Sequence, residues 1–133
     1  MTDLKRILHA EDDPDIQIIA RLALERIGGF TVLGCENGRV ALDAIAEFKP
    51  DLLLLDVMMP EMDGPTLLKL VRAGAAGDAF ADTPAIFLTA KIQAHETAPY
   101  LALGALAVLK KPFEPMLLAK QIREIWAAYA ASH

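Results

Sequence analysis

The chain has 133 residues, the length of one domain, and 54% of them are hydrophobic while 23% are charged. This composition is typical of a folded globular protein and excludes a disordered chain. The 18 acidic residues outnumber the 13 lysines and arginines, giving a formal net charge of -5 without a basic stripe, so direct binding to nucleic acid is not expected.

The chain opens with a predicted strand and a capped helix. Residues 5–10 form a short apolar run, and Asp13 followed by Pro14 supplies an N-cap and a first-turn proline for a helix that extends to about Gly28. Apolar residues in this helix recur at a spacing of about 3.6 residues and are predicted to share one face. They are Ile16, Ile19, Ala20, Ala23 and Ile27.

The next two predicted strands differ in character. The run FTVLGC, residues 30–35, predicts a second strand, and Asn37 caps a helix over residues 38–48 that Pro50 stops. Residues 51–57, DLLLLDV, are apolar without alternation, which is typical of a strand covered on both faces.

The second half of the chain continues the alternation of strands and helices. A third helix follows Asp63-Gly64-Pro65, and residues 72–84 are interpreted as the extended end of this helix and a loop. The remaining predicted elements are strands at 85–90 and 105–110 and helices at 94–103 and 115–130. Because each return to a parallel neighbour needs a crossover, these five units predict an α/β, doubly wound fold with a parallel sheet.

Polar residues stand at the carboxyl ends of four predicted strands, where ligands bind in such sheets. They are Glu11-Asp12-Asp13, Asp56, Thr89-Ala90 and Lys110-Lys111-Pro112. If Glu11, Asp12 and Asp56 meet in a partly dry site, they repel one another unless a cation lies among them. Mg²⁺ suits this position best, since it takes oxygen ligands and needs only one or two carboxylates.

A carboxylate beside Mg²⁺, facing an ammonium and a hydroxyl, is the set of groups that aspartyl-phosphate chemistry requires. The sequence therefore predicts Asp56 as the nucleophile, with Lys and Thr binding the transferred group. The plain alternative is that Asp56 only terminates its strand. The polar residues at the other strand ends argue together against that alternative.

Four segments carry a resemblance to a known family: ILHAEDDPDI, LLLLDVMMPEMDG, FLTA and LKKPF. In this order, the sequence resembles the receiver domain of two-component response regulators, in the single-domain form of chemotaxis regulators. The likeness covers nearly the whole chain. It implies a flavodoxin-like fold, with five parallel strands in the order 2-1-3-4-5 and helices on both faces of the sheet.

The resemblance also implies roles for individual residues. Asp56 corresponds to the phosphoacceptor, and Thr89 to the hydroxyl that bonds a phosphoryl oxygen. Lys111, immediately before the proline, corresponds to the ion-pairing lysine, and Lys110 is a neighbour on the outer surface. The implied Mg²⁺ ligands are Asp12, Asp56, the main-chain carbonyl of Met58, and Glu11, often through a metal-bound water.

By the same resemblance, the phosphoryl group comes from a phosphohistidine on a histidine kinase or phosphotransfer protein, and the acyl phosphate shifts a conformational equilibrium. Such a domain is not an enzyme beyond catalysing its own phosphorylation and dephosphorylation. No sequence remains for an effector, so we expect residues 1–133 to be one receiver domain acting on a downstream target protein. A diffusible regulator, a phosphate shuttle and an excised domain stay open, as does a monomer or a phosphorylation-dependent dimer.

The N-terminal segment lacks the pattern of a signal peptide, and no stretch approaches the roughly 20 apolar residues of a membrane span. We therefore expect a cytoplasmic protein without a membrane span. Cys35 is interpreted as a reduced thiol in the core or at a strand end, and His9 as a satisfied core or edge histidine.

One position departs from the family. Receivers commonly carry an aromatic residue three positions before the conserved lysine, and here that residue is Val108. The coupling of the site to the surface of the last two helices is therefore expected to differ. The alternative function is a receiver-like interaction module that signals without phosphorylation, which the complete set of acids, Thr and Lys disfavours. A haloacid-dehalogenase-type phosphatase needs a second Asp where the chain has Met58.

Overall fold

A computed structural model describes residues 3–133 and contains one parallel sheet of five strands in the order β2-β1-β3-β4-β5. The strands are β1 Arg6–Ala10, β2 Thr31–Cys35, β3 Leu52–Asp56, β4 Ala85–Thr89 and β5 Ala107–Lys110. The helices are α1 Pro14–Leu22, α2 Gly38–Phe48, α3 Gly64–Arg72, α4 Ala94–Ala102 and α5 Pro115–Ser132. The predicted doubly wound α/β fold and its strand order are confirmed.

Side-chain caps fix where three of the helices begin. The Asp13 carboxylate accepts hydrogen bonds from the N–H groups of Asp15 and Ile16, so the predicted cap of α1 is confirmed. The side chain of Asn37 caps α2 in the same way, and that of Asp63 caps α3. Each capping residue immediately precedes its helix, so these hydrogen bonds define the residue at which the helix begins.

The sheet separates two apolar cores. Ala20 of α1 and Leu118 and Ile122 of α5 pack against one face, whereas α2 and α3 pack against the other, with Ile45 and Leu68 among the buried residues. All four leucines of β3 are fully buried. The prediction of a strand covered on both faces is confirmed, and it places Asp56 at the end of the most enclosed strand.

The predicted apolar face of the first helix is wrong at two positions. Ile19 is 45% exposed and Ile27 is 50% exposed, and the buried residues are Ala20, Ala23 and Leu24. The helix continues beyond Leu22 as a π-helical turn over Ala23–Ile27. A π-helical turn holds more residues than an α-helical one, so a face extrapolated at 3.6 residues per turn no longer matches at Ile27. Ile19 precedes that turn and lines a surface cleft with Phe113 and Pro115.

The segment predicted as a loop between α3 and β4 contains one short 3₁₀ turn, Asp78–Phe80. Arg72 holds the end of this segment, because its guanidinium donates hydrogen bonds to the main-chain carbonyls of Ala81 and Thr83 at 2.9 and 2.7 Å. Within residues 3–133, every helix is too short or too polar to cross a membrane.

Candidate functional site

The carboxyl ends of the strands bring the predicted site residues to one edge of the sheet. β1 leads into Glu11 and Asp12, β3 ends at Asp56, β4 ends at Thr89, and Lys111 follows β5. The resulting open cleft has a volume of about 330 Å³. Its lining consists of Glu11, Asp12, Asp13, Ile16, Asp56, Met58, Thr89, Ala90, Lys91 and Lys111.

Lys111 joins two of the acids. Its Nζ lies 2.8 Å from Oε1 of Glu11 and 3.1 Å from Oδ2 of Asp56. Glu11 is fully buried and Asp56 nearly so, while the neighbouring Lys110 is exposed. The Lys111–Pro112 peptide bond is cis. The ammonium at the centre of the site is therefore that of Lys111, with Lys110 on the outer surface as predicted.

Three carboxylates form a compact cluster at this edge. Glu11, Asp12 and Asp56 each offer an oxygen, and these oxygens lie within 4.8 Å of one another. Burial raises the pKa of Glu11 to about 7, with the charge of Asp56 adding to the effect and Lys111 opposing it. Burial likewise raises the pKa of Asp56. One ammonium does not compensate this much buried negative charge.

The acids raise the pKa of Lys111. Burial disfavours the Lys111 ammonium, but its hydrogen bond to Glu11 and the charge of Asp56 outweigh that penalty and raise its pKa. The ammonium form of Lys111 is therefore favoured by the two acids that it contacts. A dication in the cluster would lower the remaining repulsion between the acids, and their oxygen atoms are the ligands that Mg²⁺ prefers.

The Thr89 side chain lines the cleft, and its hydroxyl proton has no acceptor among residues 3–133. The residue is 8% exposed, and its Oγ1 accepts a hydrogen bond from the main-chain N–H of Lys91 at 3.3 Å. Because the oxygen acts as an acceptor in that bond, the hydroxyl proton remains available to a ligand oxygen. Met58 is 77% exposed at the mouth of the same cleft.

The prediction of a satisfied histidine is wrong at His9. The residue is fully buried, and within residues 3–133 neither ring nitrogen has a hydrogen-bond partner. Its neighbours in the sheet are Gly34, which has no side chain, and Leu54, whose side chain has no polar atom. Burial, with the charge of Lys111 adding to it, lowers the pKa of His9 to about 4, so the ring stays neutral near pH 7.

Comparison with known proteins agrees with this geometry. The sequence matches the response regulator receiver domain over residues 7–123. The chain belongs to that family. The transcriptional regulatory protein CseB of Streptomyces coelicolor is 34% identical over 94% of this chain, and the probable C4-dicarboxylate response regulator DctR of Halalkalibacterium halodurans is 34% identical over 83%. The chain spans about half the length of these relatives, 50% and 46% respectively.

Solved structures support the same assignment. The chemotaxis response regulator CheY4 of Vibrio cholerae superposes with a TM-score of 0.82 at 28% identity, covering 92% of this receiver domain and 99% of the CheY4 chain. A response regulator from Chloroflexus aurantiacus gives a TM-score of 0.81 at 32% identity, with 94% and 99% covered. The receiver fold therefore extends over nearly all of the chain.

Val108, the position that departs from the family, lies beside an aromatic pair in this receiver domain. Val108 pairs in register with Phe87 of β4, and the ring of Tyr100 packs against Phe87 with a centroid distance of 5.3 Å. The aromatic ring beside β4 thus comes from α4 rather than from β5. The sequence pattern did not predict the contact of Tyr100 with Phe87. The contact depends on how α4 packs on the sheet, and no residue of that short helix is fully buried.

The raised pKa of Glu11 predicts how stability depends on pH in the metal-free protein. Between about pH 4.5 and pH 7 the folded protein binds a proton that the unfolded chain has released. The free energy of unfolding should therefore fall as the pH rises through this range, by up to roughly 3 kcal/mol from Glu11.

Urea unfolding of the wild type and Glu11→Gln across this pH range, in the presence of a chelator, checks the prediction. Glu11→Gln should flatten the profile, whereas the exposed control Glu36→Gln should leave it unchanged. A profile of Glu11→Gln parallel to that of the wild type would show that Glu11 titrates normally in the folded protein.

Proposed function

We propose that this receiver domain accepts a phosphoryl group on Asp56 from a phosphohistidine of a histidine kinase or phosphotransfer protein. The observation that carries the proposal is the position of the Asp56 carboxylate, 3.1 Å from Lys111 Nζ, at the end of a buried strand and within the acidic cluster. A buried carboxylate that faces an ammonium and opens onto a cleft is suited to nucleophilic attack.

The proposed step conserves charge and atoms. A carboxylate oxygen of Asp56 forms a bond to phosphorus while the bond between phosphorus and the donor's imidazole nitrogen breaks, and the electron pair stays on that nitrogen. Lys111 favours the ionised form of Asp56 before the reaction. It then faces the transferred oxygens as a fixed positive charge. The Thr89 hydroxyl donates a hydrogen bond to one of the same oxygens.

The acidic cluster fits a magnesium ion. Glu11, Asp12 and Asp56 would hold it, with the main-chain carbonyl of Met58 as a further oxygen ligand. All of these donors are hard oxygen atoms, and the buried negative charge exceeds what Lys111 neutralises. When bound, Mg²⁺ supplies positive charge against the oxygens of the transferred group.

The acyl phosphate would act as a switch for protein partners. Phosphorylation adds charge at the strand ends, next to the loops that lead into α3 and α4. These loops can then shift between two arrangements with different partner surfaces. We propose that output passes to a downstream protein, through a monomer or a phosphorylation-dependent dimer. The domain would catalyse only its own phosphorylation and dephosphorylation.

The rival function, an interaction module that signals without phosphorylation, has no support in the part of the chain that the structure describes. Glu11, Asp12, Asp56, Thr89 and Lys111 all line one cleft. A module without phosphoryl chemistry gains nothing from a cluster of buried acids whose repulsion lowers stability.

Incubation with Mg²⁺ and a small acyl phosphate donor tests the proposed function. We expect the intact mass of the protein to rise by one phosphoryl group, and the gain to disappear when a chelator removes the metal. NaCl at the same ionic strength, added to the chelator sample, serves as a control for screening. A mass gain of equal extent in chelator would contradict the proposed role of the acidic cluster.

A further inference from the structure

The Gln17 side chain reaches from α1 to the acidic turn that follows β1. Its Nε2 donates a hydrogen bond to the main-chain carbonyl of Glu11 at 3.0 Å, across six residues of sequence. The bond is therefore neither an N-cap nor a helical contact of the kind made three or four residues apart. It joins the helix to the turn that carries two of the three clustered acids.

Gly34 of β2 provides the space that Gln17 occupies. A Cβ atom at Gly34 would lie 2.6 Å from Oε1 and 2.8 Å from Cδ of Gln17. The amide of Gln17 thus lies directly against the backbone of the neighbouring strand. Any side chain at position 34 would have to displace it, since real Cβ atoms do not approach other atoms so closely.

Every polar atom of Glu11 has a partner. Its N–H donates to the carbonyl of Cys35 at 2.9 Å, and its carboxylate oxygens accept from Lys111 and from the N–H of Asp13 at 2.8 and 3.2 Å. Gln17 supplies the remaining bond, to the carbonyl of Glu11. Hydrogen bonds therefore fix Glu11 at all of its polar atoms. Metal ligands are commonly preorganised by such bonds.

Asp12 depends on that last bond more than Glu11 does. The Glu11 carbonyl belongs to the peptide group that joins Glu11 to Asp12, so Gln17 fixes the plane from which Asp12 extends. Asp12 itself is exposed, and within residues 3–133 its carboxylate has no hydrogen-bond or ion-pair partner. With no such partner, the direction of the Asp12 carboxylate depends on the backbone from which it extends.

We infer that Gln17 is a positioning residue, which sets the affinity of the acidic cluster for a divalent cation. It does so by holding the peptide group between Glu11 and Asp12, and the absence of a side chain at Gly34 leaves the space that Gln17 needs. The inference builds on the proposed function. Without the Gln17 bond, the peptide plane can rotate, and binding the ion must then restore one conformation of Asp12. The effect should appear in the concentration of Mg²⁺ that the domain needs, and not in the rate once Mg²⁺ saturates.

Phosphorylation of the full chain by a small acyl phosphate, measured by intact mass against Mg²⁺ concentration, separates these two quantities. Gln17→Met keeps a side chain of similar length over Gly34 but donates no hydrogen bond. We expect its half-saturating Mg²⁺ concentration to rise roughly fivefold to tenfold, with a maximal rate close to that of the wild type. Calorimetric titration with Mg²⁺ alone should give the same ratio of dissociation constants.

Gly34→Ala is the second variant, because it removes no polar group and acts only by displacing Gln17. It should raise the half-saturating Mg²⁺ concentration about as much as Gln17→Met does, and the double variant should be little worse than either single one. Ile18→Ala, on the exposed side of the same helix, is the matched control and should match the wild type.

The possible outcomes separate the inference from the proposed function. If Gln17→Met and Gly34→Ala melt earlier but keep the wild-type half-saturating Mg²⁺ concentration, Gln17 is only structural and the inference is wrong while the proposed function stands. Additive effects in the double variant would also overturn it. If the wild type itself neither binds Mg²⁺ nor gains a phosphoryl group, both proposals fail.

Discussion

Replacing Lys111 by methionine is expected to lower the rate of phosphoryl uptake roughly a hundredfold. The substitution removes the cation that lies within hydrogen-bonding distance of both Glu11 and Asp56. Lys111 stabilises the negative charge of the phosphoryl oxygens as the phosphoryl group approaches Asp56. In the variant that stabilisation is lost. Methionine keeps most of the stem of the side chain, so the loss of charge dominates over the loss of packing.

The same variant should also lose stability, by roughly 3 kcal/mol at about pH 8 without Mg²⁺. At that pH an ionised Glu11 or Asp56 has no ammonium to compensate its burial, and taking up a proton instead costs the most free energy there. The loss should shrink toward about pH 5, because Glu11, whose pKa is already about 7, can take up a proton instead. Urea unfolding at both pH values, alongside phosphorylation rates, provides the measurement.

Lys110→Met is the matched control for Lys111→Met. Lys110 is the adjacent lysine, is exposed, and has no ion-pair partner among residues 3–133. It should change neither the phosphorylation rate nor the unfolding free energy measurably. Equal losses in the two variants would mean that net charge matters here rather than the position of the ammonium.

Gly64→Ala is expected to destabilise the domain by at least roughly 2 kcal/mol. A Cβ atom at this position would lie 2.3 Å from the main-chain oxygen of Asp56 and 3.0 Å from Cε1 of Phe87. The first obstacle is backbone within the fully buried β3, so it cannot rotate away as a flexible side chain would. The helix α3 must move, or the end of β3 must bend.

Either movement displaces the residue on which the proposed chemistry depends. Thermal unfolding and phosphorylation of Gly64→Ala should therefore both be impaired, since the clash is with the backbone of Asp56 itself. Thr66→Ala, an exposed position in the same first turn of α3, controls for the change of helix composition. A stable, fully active Gly64→Ala domain would show that α3 and β3 can accommodate a methyl group at this contact, which would contradict the prediction.

The fold follows from the sequence wherever the signal is local. The unbroken apolar run of β3 predicts burial on both faces, and Asp13, Asn37 and Asp63 mark helix starts through bonds that span only two or three residues. Such features do not depend on which element packs against which. The order of the strands does depend on it, and here the resemblance to receivers supplied it.

The candidate site was predictable to the same depth. The carboxyl ends of parallel strands lie at one edge of the sheet. The sequence alone therefore places Asp56, Thr89 and Lys111 at that edge. The hydrogen bond from Gln17 to Glu11 could not, since it depends on the space above Gly34 in another strand. The missing partner of His9 among residues 3–133 could not be predicted for a similar reason: its neighbours come from β2 and β3.

The identity of the phosphoacceptor is tested most directly by mass spectrometry of Asp56→Asn. After incubation with Mg²⁺ and a small acyl phosphate, the wild type should gain the mass of one phosphoryl group and Asp56→Asn should gain none. Asp43→Asn, which changes an exposed acid on α2 by the same atoms, should behave as the wild type. A full phosphoryl gain in Asp56→Asn would contradict the role of Asp56 and, with it, the proposed function.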